Sequence, residues 1–340
     1  MPAFQVVTFN RDFTPRMPMP GVTLTATRWS HHAIGGPRQC AIDATGDASS
    51  IWTVLDLLRC PVRVLDDQDG TPLWWGYINE VHITTPGIGV GVNLDNMENS
   101  VYGSYSTFVT GAGSVTAEGV RGTVGPFTDA KSIALYGTKE GRAALSGGTA
   151  AQATAAAQMR LANRSLPVPT IAQGGPFRAQ IGARGWWSST DWQFYTDTSA
   201  AVIDTMTQIQ NIVTTSCQFL VACRPITATS GITSVRAREG DNKAMRLIED
   251  LCNSGTSASK RLVCNVTVDR VLEVREELAS GYPNTYHIDE YGYVRDSYHN
   301  EVPFHKVQAG YWIEYTGVMP YNAVPSLLTS ISPLFVEEVE

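Results

Sequence analysis

Few residues in this chain have the type and spacing for chemistry, and each has a plainer reading. His31-His32 invite a metal ion. Adjacent histidines on an extended segment point apart, and no H-x-x-x-H or H-E-x-x-H supports them. A loop or capping role is therefore expected, and no metal. His287, His299 and His305 lie among tyrosines near the C-terminal end and read as polar surface of a β region. The pairs Glu249-Asp250 and Glu276-Glu277 could be offered to glycoside hydrolysis, which needs two carboxylates facing one sugar bond. Sequence neighbours rarely face each other in that way, so a solvated helix face and a strand end are expected. Gly35-Gly36 and Gly111-Ala112-Gly113 are followed by no G-K-[ST] and no strand–helix context, so neither makes a phosphate loop. There is no G-x-S-x-G, and Cys40, Cys60, Cys217, Cys223, Cys252 and Cys264 form no C-x-x-C pair. Buried, reduced thiols are expected. No acid can be matched with a base, so neither enzymatic activity nor a cofactor is expected.

The best binding candidate is aromatic. Trp186, Trp187, Trp192, Phe194 and Tyr195 fall within ten residues that read as a strand, and Trp74 and Trp75 mark a second aromatic strand. Such rings build a core or a subunit interface, or they present a flat face to a sugar. The second possibility would make the chain a carbohydrate- or receptor-binding module.

The elements that would position these rings are mostly strands. Around Trp74 and Trp75 the sequence is IWTVLDLLRCPVRVLDDQDGTPLWWGYINEVHI, from Ile51 to Ile83. Ile51, Val54, Leu55 and Leu58 make one helical stripe, with Ser49 or Ser50 as cap and Pro61 as terminator. Val62, Val64 and Leu65 begin a strand, Asp66-Asp67-Gln68-Asp69-Gly70 turns it, and an alternating strand follows. Val22, Leu24 and Ala26 alternate as a half-buried strand, His31 to Pro37 reads as a loop, and Gln39 to Ala44 as a further strand. Thr149 to Ala162 is an alanine-rich helix with a thin stripe through Met159 and Leu161. Thr198 or Ser199 caps a helix with Val202, Ile203, Met206, Ile209, Ile212 and Val213 on one face, followed by a strand from Cys217 to Cys223. A helix starting near Asp241 and ending by Gly255 leads into strands at Arg261–Val268 and Arg270–Val274. Helix-then-strand thus occurs three times.

With 340 residues, 43% hydrophobic and 17% charged, the chain has room for several packed units. Thirty glycines and eighteen prolines, with short runs of Thr, Val, Trp and Tyr, favour a mainly β class with flanking helices. Four parts are expected. They are a β-barrel-like domain over 1–110, a Gly/Ala-rich insertion with one helix over 111–175, a second β-barrel-like domain with two helices over 176–280, and a β extension over 281–340. A net charge of −7 without any Lys/Arg run argues against a nucleic-acid-binding surface. The start, MPAFQVVTFNRDF, has no basic-then-apolar pattern, so no signal peptide is expected, and no apolar run is long enough for a membrane span.

The order strand, G-G-P loop, strand, short helix, PVRVLDDQDG, then LWWGYINEVHI resembles the tail-tip or baseplate hub proteins of tailed bacteriophages. YGTKEGRAAL and ATAAAQMRLANRSLPVPT are similar to the helix-bearing insertion of siphophage tail-tip proteins, and AQIGARGWWSSTDWQFYT and SPLFVEEVE look like the same group. The resemblance implies two tube-like β-barrels per chain and a homo-oligomeric ring, trimeric for preference, joining the tail tube to the tip. The partners it implies are tail tube, distal tail and central fibre or tip proteins, and genomic DNA crosses the lumen without specific binding. It implies a virion location after assembly in the host cytoplasm. It carries no catalytic residues. A hexameric distal tail adaptor is the near alternative.

Overall fold

The structure is a computed structural model that describes residues 4–110, 116–236, 238–277, 285–289, 291–315 and 334–340. The chain is mainly β with flanking helices. Its first part holds β1 (Phe4–Thr8), β2 (Val22–His32), β3 (Ile34–Gly46), β4 (Pro61–Asp66), β5 (Pro72–Thr84) and β6 (Ile88–Asn93). Next come β7 (Ser100–Thr110), β8 (Thr116–Thr128), α1 (Ala130–Tyr136), β9 (Glu140–Ser146), α2 (Ala150–Arg164), β10 (Thr170–Gln173) and β11 (Arg178–Gly185). Then follow β12 (Phe194–Asp197), β13 (Val202–Asp204), α3 (Thr205–Ser216), β14 (Ala222–Pro225), β15 (Thr233–Val235), β16 (Arg238–Lys243), α4 (Ala244–Asn253), β17 (Leu262–Val266) and β18 (Val271–Glu276). The last part has β19 (Thr285–Ile288), β20 (Val294–Arg295), β21 (Trp312–Tyr315), β22 (Leu334–Phe335) and β23 (Glu338–Val339).

One large sheet runs β1-β4-β5-β11-β3-β17-β18-β14, with β2 added to β3 and β6-β10 added to β5. The two expected barrel domains are therefore not separate sheets. β11, from the second, lies antiparallel between β5 and β3 of the first, with Ile181 opposite both Val81 and Ile42. Six strands curl until β2 comes against β1, where Phe4 and Trp29 meet edge to face at 4.8 Å. No ladder joins β1 to β2 among the described residues, so this curled sheet approaches a barrel without closing. A 3-10 helix, Ile51–Leu57, seals one end by burying Ile51, Val54 and Leu57. Its cap differs from expectation. Asp47 Oδ1 accepts from the Ser49 and Ser50 amides at 2.9 and 2.7 Å, while neither serine caps with its own side chain.

His31 to Pro37 is not a loop. β2 continues through His32, Ala33 turns, and β3 starts at Ile34. Ile34 and Gly35 pair in parallel with Cys264 and Asn265 of β17, while Gln39 to Ala44 pair with β11. β3 thus crosses from one half of the sheet to the other. Gly35 and Gly36, at φ +99° and +76°, make the crossing. A β-carbon on Gly35 would lie 2.3 Å from Trp187 Cγ, and one on Gly36 1.8 Å from Asn265 Oδ1.

β17 and β18 form a hairpin, and β14 joins β18 in parallel. α3 and α4 bury Met206, Ile209, Ile212, Leu247 and Ile248 in the same core. α3 starts at Thr205 under an Asp204 cap, later than the Thr198 or Ser199 start the spacing suggests, because Val202 and Ile203 pair in β13 with β15 instead. The strand expected at Cys217–Cys223 instead spans Ala222–Pro225.

The insertion is richer than one helix. β7, β8 and β9 form a separate three-stranded sheet covered by α2. Thr149 and Gln152 close a capping box at the start of α2. The buried face is Ala153 and Ala157, and Met159 of the expected stripe is exposed. Small residues win because β7 approaches closely: a β-carbon on Gly103 would sit 2.4 Å from the Ala153 carbonyl oxygen. The last part forms a four-stranded sheet, β20-β19-β21-β22. The chain then returns to the body, where β23 pairs with His31 and His32 and the Ala33 amide donates to the Glu337 carbonyl at 2.8 Å. No helix among the described residues is long and apolar enough to cross a membrane.

Candidate functional site

The tryptophan stretch is a 3-10 helix, Trp186–Trp192, rather than a strand. Trp186, Trp187 and Trp192 are all buried, as is Trp74, so none offers a ring face to a sugar or to another subunit. Their work is internal. Trp187 lies under the Gly35 crossing, and Trp186 and Trp192 join Tyr77 and Phe219 around the buried Arg59. The guanidinium carbon is 3.8 Å from the Phe219 ring centre, 4.9 Å from Trp186, 5.2 Å from Tyr77 and 5.8 Å from Trp192. Arg59 Nε donates to the Tyr136 carbonyl at 3.2 Å, and no carboxylate pairs with it among the described residues. Burial pushes its pKa down to about 9, and the π faces with the Tyr136 carbonyl compensate the cation in part.

A second cluster, of half-buried cations, joins the insertion to the body. Lys139 Nζ donates to the Leu94 and Asp95 carbonyls at 2.6 and 2.8 Å, and burial lowers its pKa to about 8. Lys243 Nζ donates to the Glu140 carbonyl at 2.6 Å and to Trp192 at 3.3 Å, with its pKa lowered by burial too. Asp191 lies nearby, its pKa raised by burial. A desolvated amine can be a nucleophile, but these two spend their hydrogens on backbone carbonyls and act as ties.

A cleft of about 300 Å³ opens between the body and the C-terminal sheet, lined in part by His31, Trp75, Asn265, Arg275, His305 and Gln308. Trp75 is half-buried, and its indole N–H donates to the Val266 carbonyl at 2.8 Å. Four further polar side chains of the cleft are engaged as well. His31 Nε2 lies 2.8 Å from the Leu73 carbonyl oxygen, and burial lowers its pKa. Arg275 Nη2 donates to the Gly310 carbonyl at 3.1 Å. Lys306 Nζ bridges Asp66 and Asp69 at 2.9 and 2.8 Å, and His305 Nε2 stands 3.4 Å from Asp66. The Gln68 amide and then Lys306 hold the Asp66 carboxyl below its ordinary pKa. This constellation is a latch that fixes the C-terminal sheet to the β4–β5 hairpin.

Of the other sequence candidates, His287 and His299 come together, with ring centres 6.2 Å apart, and the rest are scattered. His32 Nδ1 accepts from the Ile34 amide at 3.1 Å. Glu276 pairs with Lys260 at 3.1 Å and Glu277 with Arg261 at 3.8 Å. Cys40, Cys60, Cys217, Cys252 and Cys264 are buried free thiols and Cys223 is half-buried. No three His, Cys, Asp or Glu side chains gather as a metal site among the described residues. Gly111-Ala112-Gly113 lies outside them.

The exposed aromatics are elsewhere. Tyr291, Tyr293, Tyr298 and Phe304 project from the C-terminal part. A repeated Asp-x-Tyr, at 289–291 and 296–298, is the sequence signal that could have pointed to them. No protein-family model matches this chain, and no curated protein matches it.

Proposed function

We propose that this chain is a structural protein of a bacteriophage tail tip, forming a hub ring, trimeric for preference, that joins the tail tube to the tip. The observation that carries this reading is the curl of six strands of the large sheet from β1 round to β2, sealed by a short helix. It accords with the tube-like barrel that the sequence resemblance implies. The large aromatic side chains at its centre are engaged in packing, which suits a scaffold. In this reading other tail proteins bind above and below, and genomic DNA passes through the lumen unbound. A net charge of −7 favours that passage, because an acidic wall repels phosphates. Assembly takes place in the host cytoplasm and the final location is the virion.

Light scattering and negative-stain imaging of the purified protein test the proposal. The expected mass is three times that of the 36.9 kDa chain, with a central hole in the images. A six-subunit ring would move the protein to the distal tail adaptor. A monomer at micromolar concentration would sink the ring in either form.

A further inference from the structure

The tyrosines of the C-terminal part are held on two stiffened loops. Asp289 Oδ1 accepts from the Tyr291 and Tyr293 amides, both at 3.0 Å. Asp296 Oδ1 accepts from the Tyr298 and Asn300 amides at 2.8 and 2.9 Å. Arg295 staples the loops together, with Nε 2.8 Å from Asp289 Oδ2 and Nη1 3.2 Å from the His299 carbonyl oxygen. With both aspartates turned onto their own backbone, the loops present aromatic surface outward: Tyr291 is 78% exposed, Tyr298 77% and Phe304 66%. Rigid aromatic side chains lose little entropy on docking, and Tyr is a typical anchor of protein interfaces. The segment is acidic in composition. Residues 285–315 carry five Asp or Glu against two Arg or Lys.

A surface of opposite character lies at the other end of the molecule. β10 pairs with β6 along one edge, and its other edge joins no strand among the described residues. All four of its residues are exposed, with Ile171 at 60%. Val168 and Leu166 are exposed just before it. Edge strands are commonly blunted by charge, yet residues 165–177 hold none. The flanks are basic. Residues 141–190 contain five arginines and no Asp, Glu or Lys. Arg160 and Arg164 share one carboxylate, Glu98, and Arg178 has no carboxylate partner among the described residues. The latch ties the aromatic loops beside the start of β5, and β6-β10 hangs on its end, at Glu80 to Thr84. A thirteen-residue strand separates the two by about 40 Å.

We propose that these two surfaces bind each other between copies of this chain, the acidic tyrosine loops of one docking on the arginine-flanked β10 edge of the next. The inference rests on the ring reading and names its contact. The contact is head-to-tail, the kind that closes a ring when the rotation between copies permits. Opposite charge orients the encounter, and the aromatic and aliphatic side chains supply the buried area.

Sedimentation velocity tests it with two variants: Tyr291→Ser/Tyr298→Ser/Phe304→Ser in the loops and Ile171→Glu/Arg178→Glu at the edge. Each is expected to fall from the ring mass to that of one chain, with the near-ultraviolet circular dichroism of the buried tryptophans unchanged. Mixed in equal amounts, they are expected to form a pair and nothing larger, because each brings one intact surface. If the triple variant loses its fold, Glu301→Lys replaces it and is expected to weaken association about tenfold. Rings that persist in both variants overturn this contact and leave the ring standing. A wild-type monomer together with a monomeric mixture overturns both.

Discussion

At the scale of single residues, the chain withdraws cations from water, wholly or in part, and answers them with carbonyls and rings. Lys139 makes the cost measurable. Its pKa of about 8 in the fold lies below the ordinary value of 10.5, so the unfolded chain holds this proton more tightly than the native one. Where the unfolded state binds more protons, stability rises with pH. Lys139 therefore works against folding at and below pH 8, and the penalty fades between pH 8 and 10.5. The neutral amine still has hydrogens for Leu94 and Asp95, so the tie survives. Chemical denaturation across that range should show the wild type gaining stability relative to Lys139→Met. Parallel curves for the two proteins would show that the amine is hydrated. Arg59 follows the same logic, with four rings beside a single carbonyl. Nothing in its neighbourhood in sequence, Leu58-Arg59-Cys60-Pro61, announces this. Its partners come from Tyr77, Trp186, Trp192 and Phe219, and only the fold assembles them. The burial of Trp186 to Trp192 was equally hidden, because an indole reads alike in sequence whether it faces core or solvent.

Elements repeat the contrast between local and distant causes. The helix after Thr149 is legible because its determinants are local, alanine propensity and a Thr149/Gln152 capping box. The alternation of Ala179, Ile181 and Ala183 likewise announces a strand, and β11 buries all three. Its place between β3 and β5 is not legible, since the partners lie far away in sequence and pairing leaves no local trace. Gly35-Gly36-Pro37 shows how a local rule misleads. The triplet reads as a strand breaker, yet its glycines let one strand serve two halves of a sheet. Gly35→Ala combines positive-φ strain with a collision against Trp187, and should cost about 3 kcal/mol or more. Urea denaturation is the measurement. A loss below about 1 kcal/mol would mean that β3 has another route across.

For the whole molecule, the last residues behave as a clasp. β23 covers the His31–His32 edge, Glu337 receives the Ala33 amide, and the Gly310 amide donates to Val336. Removal of residues 336–340 should leave the curled sheet folded while speeding hydrogen exchange at Ala33 and Gly310, whose acceptors are lost. Exchange rates unchanged at both amides would show that the clasp does not persist in solution. The insertion of β11 between β3 and β5 has a consequence of a different kind, in time. During synthesis β3 and β5 emerge early, and neither can meet the strand that joins them until Arg178–Gly185 has left the ribosome. At ordinary translation speeds that wait is on the order of ten seconds, long compared with collapse. The nascent chain thus carries two apolar strands with unfilled edges through roughly a third of its production. A host crowded with identical nascent chains would meet those edges before the protein's own β11 does, so yield should fall with expression rate sooner than native stability would suggest.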